Sequence, residues 1–249
     1  GDNLLSKAFA ADLMRINKSF IVQRSAKGPR QMLAAFKKLS SYIRHSLHQE
    51  RSSIWIAQRE GRAKDGNDAT EVALLKMIGM SQRKADESYA EFIAAMNIVP
   101  VSISYEWDPL DAAKAHELAQ IEMDGRYEKS EHEDLKSIAT GIVGQKGHVH
   151  VHFGTPMSGD YSDASELAQA IDAQIIGNYR LHGSNLLAYM RLFNDERWRS
   201  VTTADLPAAE VAHFDEHFAN MPPDYRRKAL EIYARPLINQ LALQESTSA

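Results

Sequence analysis

Three short apolar runs, at 19–23, 53–58 and 98–105, are separated by amphipathic stretches, and this alternation constrains the fold most. Residues 7–16 read as a short helix with Phe9, Leu13 and Ile16 on one face. After Gly28-Pro29, residues 30–49 predict a helix with Met32, Leu33, Phe36, Leu39, Ile43 and Leu47 inward. Its other face carries Arg30, Lys37, Lys38 and Arg44. Residues 70–79 and 82–96 predict two more helices, the second capped by Ser81. Strand, helix, strand, helices, strand is the pattern of parallel strands joined by right-handed crossovers. The expected fold class is therefore α/β, a largely parallel sheet flanked by helices.

Beyond 105, Asp108-Pro109 reads as a helix start, Ser130 with Glu133 as a capping box, and 148–153 as a further strand. From Asp163 onward the pattern is helical almost to the end, with breaks near Gly183, Pro207 and Met221-Pro222-Pro223. The expected organisation is an α/β domain over 1–160, with a helical C-terminal extension over 161–249 packed on the same domain.

The chain of 249 residues has no Cys, which excludes disulfides, thiolate metal sites and a Cys nucleophile. No run approaches the roughly 18 to 20 apolar residues of a membrane span. The formal net charge of −4 hides a split. Residues 1–66 hold 13 Lys and Arg against 5 Asp and Glu, while the rest hold 16 against 28. A basic first quarter suits an anionic partner, such as a phosphorylated substrate or an acidic membrane surface.

The turn that follows the second apolar run is the most pointed chemistry in the chain: Gln58-Arg59-Glu60-Gly61-Arg62-Ala63-Lys64. Arg supplies a planar fork of donors, Lys a compact charge, and Gly lets backbone approach a ligand. If strands 19–23 and 53–58 are parallel, their carboxyl ends share one rim of the sheet, where open α/β folds bind ligands. Arg24 would then face Arg59, Arg62 and Lys64 around one phosphate, with Glu60 placed to accept a substrate hydroxyl or steady a neighbouring cation. The bland alternative is a surface cluster in which Glu60 pairs with Arg24 or Arg62.

These segments resemble the glycerophospholipid acyltransferase family, the glycerol-3-phosphate and 1-acyl-glycerol-3-phosphate acyltransferases. Ser19-Phe20-Ile21-Val22-Gln23-Arg24 is similar to that family's second motif, Ile56 to Lys64 to its third, and Ile98-Val99-Pro100-Val101-Ser102-Ile103 to its fourth. Their order and rough spacing match. The resemblance implies an enzyme that moves a fatty acyl group from acyl-CoA or acyl-carrier protein to a glycerol-phosphate or lysophospholipid hydroxyl. It implies Glu60 in a supporting catalytic role, with Arg24, Arg59, Gly61, Arg62 and Lys64 as substrate-binding residues. No cofactor is implied beyond the acyl donor as co-substrate. The family's first motif, His-x4-Asp, supplies the base, yet none of the ten His has an Asp five residues on. His45 with Glu50 is the nearest approach, and it follows the second motif instead of preceding it. The base is therefore expected upstream of Gly1, which would leave this fragment inactive alone. Departures within the third motif are Gln58-Arg59 before the Glu-Gly pair and Arg62 directly after Gly61.

Other signals are weaker. His148, His150 and His152 share one face of a strand but spread over about 13 Å, too far for one ion without a bulge. The expected role is an ordinary strand with a polar face, and a metal site on His148–His152 is the lesser alternative. Lys64 to Asp68 lacks the acidic spacing of a calcium loop. No nucleic-acid motif is visible, so nucleic acid is not an expected partner. The expected location is cytoplasmic, peripheral on the inner face of a membrane with anionic lipid, and oligomeric state is not specified by the sequence. The alternative to an enzyme is an inactive relative that binds anionic lipid.

Overall fold

The structure, a computed structural model, describes residues 12, 16, 27–57, 63–81, 86–203 and 205–248. They fall into two units, each built from separate stretches of chain.

The smaller unit takes Gly1–Gln58, Glu71–Ile98 and Met157–Ala168. Its helices are α1 (Pro29–His48), α2 (Val72–Gly79) and α3 (Tyr89–Met96). Pro29 starts α1, where a missing N–H costs nothing. Only Ser40, Ile43 and Ser46 of α1 are buried. Ser40 Oγ donates to the Ile78 carbonyl at 2.6 Å, tying α1 to the end of α2. Arg44 donates to the Ser81 carbonyl at 2.9 Å and lies 5.5 Å from the Phe92 ring centre. A reciprocal capping box opens α3: Ser88 accepts from the Glu91 amide, and Glu91 accepts from the Ser88 amide. The cap is therefore Ser88, seven residues beyond the expected Ser81, whose hydroxyl instead donates to Ile78.

The larger unit takes Arg59–Thr70, Val99–Pro156 and Gln169–Ala249. It contains β1 (Val101–Tyr105), α4 (Asp111–Asp124), α5 (Glu133–Val143), β2 (Val149–Phe153), α7 (Gly183–Phe193), α8 (Ala208–Ala219) and α9 (Pro223–Ser248). Helix α6 (Ala164–Gly177) begins in the smaller unit and ends in the larger one. Within the larger unit α9 packs on α7 and on α4. Fully buried Ala115, Ala188, Ala229 and Ala234 let these backbones approach, and Leu186, Tyr189, Phe214 and Leu237 fill the space between. Removing such area from water at about 25 cal/mol per Å² is the main stabilising term for this helical core.

The largely parallel sheet is not what the described residues form. β1 and β2 make one two-stranded antiparallel sheet, with Val101 opposite Phe153 and Tyr105 opposite Val149. Residues 53–57 are irregular, and Trp55 is 64% exposed. The run at 19–23 lies outside the described residues. The reason is visible in the side chains. Strands of a parallel sheet are buried on both faces and read as continuous apolar runs. Val-Ser-Ile-Ser-Tyr and Val-His-Val-His-Phe alternate instead, which is the antiparallel pattern.

That small sheet is turned against its own chemistry. Ser102 and Ser104 are buried, while Val149, Val151 and Phe153 are exposed, Phe153 by 67%. The hydroxyls of Ser102 and Ser104 find no hydrogen-bond partner among the described residues. A buried hydroxyl without a partner is a net cost. Ser104→Ala is thus expected to raise stability by about 1 kcal/mol, read as a higher urea midpoint with an unchanged slope. A drop in midpoint would mean the hydroxyl is satisfied.

Candidate functional site

Of the expected site residues, the supporting catalytic Glu60 and the substrate-binding Arg24, Arg59, Gly61 and Arg62 lie outside the described residues, and substrate-binding Lys64 lies within them. Its ammonium is engaged with the Glu117 carboxylate of α4. The expected rim of parallel strand ends is not formed among the described residues, where 53–57 are not a strand. The segment from Ala63 to Thr70 is nevertheless firmly placed within its unit. Asp65 accepts from the Asn67 amide at 3.0 Å, which closes a small turn. The Asn67 side chain accepts from Asn239 of α9 at 3.2 Å. Thr70 gives both its amide and its hydroxyl to Asp172 of α6, at 2.9 and 2.5 Å.

Gly66 is the tightest point. Its φ of +73° belongs to the left-handed region, and a Cβ there would stand 2.7 Å from the Ile232 carbonyl oxygen. Ile232 is four residues before Pro236, which lies inside α9 and has no N–H to give that carbonyl. The turn therefore lies against the one helix carbonyl that its own ladder leaves bare at that point. Lys64 and Asn67 thus fasten the segment that follows Arg59–Arg62 in the chain to α4 and α9.

A second cluster was not anticipated from the sequence. Asp111, at the start of α4, is buried. Its Oδ2 accepts the Tyr233 hydroxyl of α9 at 2.8 Å and lies 2.7 Å from Nε2 of His217 on α8. A carboxylate only accepts, so that ring nitrogen carries the proton. The Tyr233 oxygen also accepts the Asp108 amide at 2.9 Å. Burial first, and then the Asp111 charge, raise the Tyr233 hydroxyl well above the usual tyrosine range, so it stays a donor. Trp107 covers the cluster, with its ring centre 4.8 Å from His217, 5.2 Å from His213 and 5.8 Å from Tyr233.

Chemically, a carboxylate behind an imidazole is an arrangement that can accept and return a proton. Structurally, the same atoms tie three helices. The available sequence signal was the four-residue spacing of His213 and His217, which puts both on one helix face. Asp111 carries no comparable mark, because the helix start was read from Asp108-Pro109. Asp108 instead accepts the Leu110 amide at 2.9 Å and pairs with Lys114.

His150 and His152 stack with ring centres 6.4 Å apart, and His150 Nδ1 is buried without a partner among the described residues. Nearby His182 is buried, which lowers its pKa below the ordinary imidazole value, opposed by the Glu106 charge. No group of three or more metal-ligating side chains converges among the described residues. No helix among them is long and apolar enough to cross a membrane. Comparison with models of protein families, with curated proteins and with solved structures returned no match to this chain.

Proposed function

We propose that this chain is the acceptor-binding part of an acyltransferase of the glycerophospholipid type. Its acceptor is a phosphorylated glycerol or lysophospholipid hydroxyl, and its donor is acyl-CoA or acyl-carrier protein. The observation that carries the reading is the ordered set of segments at 19–24, 56–64 and 98–103. The parallel sheet expected with them is absent from the described residues, so the reading rests on these segments and not on the fold.

In this reading Arg24, Arg59, Arg62 and Lys64 hold the acceptor phosphate by charge-assisted bonds, each contributing about 1.5–3 kcal/mol. Holding the phosphate fixes where the acceptor hydroxyl sits. Lys64 already faces Glu117, so a phosphate would take over a cation that the fold keeps in place. The reaction needs a base for the hydroxyl proton. The acceptor oxygen then forms a bond to the thioester carbonyl carbon, the carbon–sulfur bond breaks, and the thiol leaves with a proton. The base is proposed to lie outside this chain's motif set, since no His-x4-Asp occurs in it. An enzyme that acts on lipid substrates would sit peripherally on an anionic membrane, and that is the location proposed for it.

The test is thiol release from acyl-CoA in the presence of glycerol-3-phosphate or lysophosphatidate, by the protein that carries this chain. Arg62→Ala and Glu60→Ala are each expected to lower kcat/KM by about a hundredfold, from lost charge-assisted contacts. Full turnover in both variants removes these residues from the site. Absence of turnover with retained binding to lipid vesicles favours the inactive lipid-binding relative.

A further inference from the structure

The apolar stripe of α1 runs off the edge of its own core. At 100° per residue, Met32, Phe36, Leu39, Ile43 and Leu47 lie along one line, with Leu33 beside it. The second half of that line is covered: Ile43 is buried, and Ser40 beside it bonds to α2. The first half is not. Met32 is 44% exposed and Leu33 45%. This departs from the sequence expectation, in which both point inward.

The charges of the helix are one-sided as well. Pro29–His48 contains no Asp or Glu. Arg44 is engaged with Ser81 and Glu87. Arg30, Lys37 and Lys38 are exposed and form no ion pair with a described residue. On the helical wheel these three flank and oppose the uncovered stripe. An exposed apolar stripe bordered by cations that pair with no described residue is the composition of a helix that lies in a lipid headgroup layer.

We propose that the first half of α1 docks on an anionic bilayer. Met32 and Leu33 enter the headgroup region, Arg30 and Lys37 at the flank meet lipid phosphates, and Lys38 on the far side adds longer-range attraction. A nucleic-acid backbone would satisfy the cations and leave the stripe in water, whereas a bilayer covers both. This rests on the membrane-contact part of the proposed function and names the element that makes the contact. It does not depend on acyl transfer, because it is read without any acyl donor.

The test is co-sedimentation of the full chain with vesicles of phosphatidylcholine alone or of phosphatidylcholine with phosphatidylglycerol. Binding is expected only to the anionic vesicles, weakening as salt rises. The pair Lys37→Glu and Lys38→Glu is expected to weaken it by about tenfold or more. Leu33→Asp is expected to weaken it comparably with only a small fall in the urea midpoint, since nearly half of the side chain is already exposed. Salt titration of the unaltered chain gives the same readout should a variant fold poorly. Equal binding to both vesicle types, indifference to the charge reversals, or tighter binding to an RNA oligonucleotide that ignores Leu33→Asp would each overturn the proposal. Loss of acyl transfer with vesicle binding intact would instead count against the proposed function alone.

Discussion

Asp111→Ala is expected to lower the unfolding free energy by about 3–4 kcal/mol, a large share of what a domain of this size has to lose. The carboxylate is buried at the start of α4 and receives Tyr233 from α9 and His217 from α8. Truncation removes the acceptor for a buried hydroxyl and for a half-exposed imidazole at once. It also removes a negative charge from a helix N-terminus, where the backbone dipole favours one. Asp111→Asn keeps shape and one acceptor oxygen, so about 1–2 kcal/mol is expected from it. A double-mutant cycle of Asp111→Ala with Tyr233→Phe separates the pair from the cavity, and a coupling of about 1 kcal/mol or more is expected. A loss below 1 kcal/mol for Asp111→Ala, measured by urea unfolding, would mean that the three helices are held by apolar packing alone.

The elements of this protein were more legible than their partners. The strand expected at 98–105 is present as Val101–Tyr105, and the one at 148–153 as Val149–Phe153. Alternation tells which residues share a face. It does not tell which face meets the protein. For β1 and β2 the serines and histidines face inward and the valines outward, which no hydropathy argument selects. Nor does alternation give strand direction unless it is weighed against the continuous runs that buried parallel strands require. The apolar run at 53–57 shows the limit: five residues of suitable composition are irregular, with Trp55 largely in water.

Helices fared better because a longer period gives more repeats to read. Even so, periodicity alone predicts an entirely inward stripe for α1, whereas only residues of its later turns are buried. The candidate site was legible as chemistry and not as geometry. Lys64 could be named as a cation near a Gly-rich turn, but its partner Glu117 lies 53 residues away on a helix whose packing the turn itself does not encode. Asp111 and His217 are 106 residues apart, and no local pattern joins them.

Gly66→Ala tests whether the turn matters to both fold and site. Two costs combine there. A left-handed φ of +73° disfavours any L side chain by about 1–2 kcal/mol. The added methyl would also meet the Ile232 carbonyl oxygen at 2.7 Å and the Arg235 Cβ at 3.2 Å. Backbone of α9 cannot step aside as a flexible side chain would, so the turn must lift, and about 3 kcal/mol in total is expected. Gly125 provides the control. Its φ is also +73°, yet a Cβ there meets nothing within 4 Å. Gly125→Ala should therefore cost about 1 kcal/mol, the conformational part alone. The difference between the two variants, read from urea midpoints, isolates the close approach of the turn to α9. Lifting the turn also draws Lys64 away from Glu117, so if Lys64 belongs to the proposed acceptor site, Gly66→Ala weakens glycerol-3-phosphate binding while Gly125→Ala leaves it unchanged. Equal losses of stability in the two variants would show that the turn does not bear on the Ile232 carbonyl. Unchanged phosphate binding in Gly66→Ala would separate the placement of this turn from recognition of the acceptor.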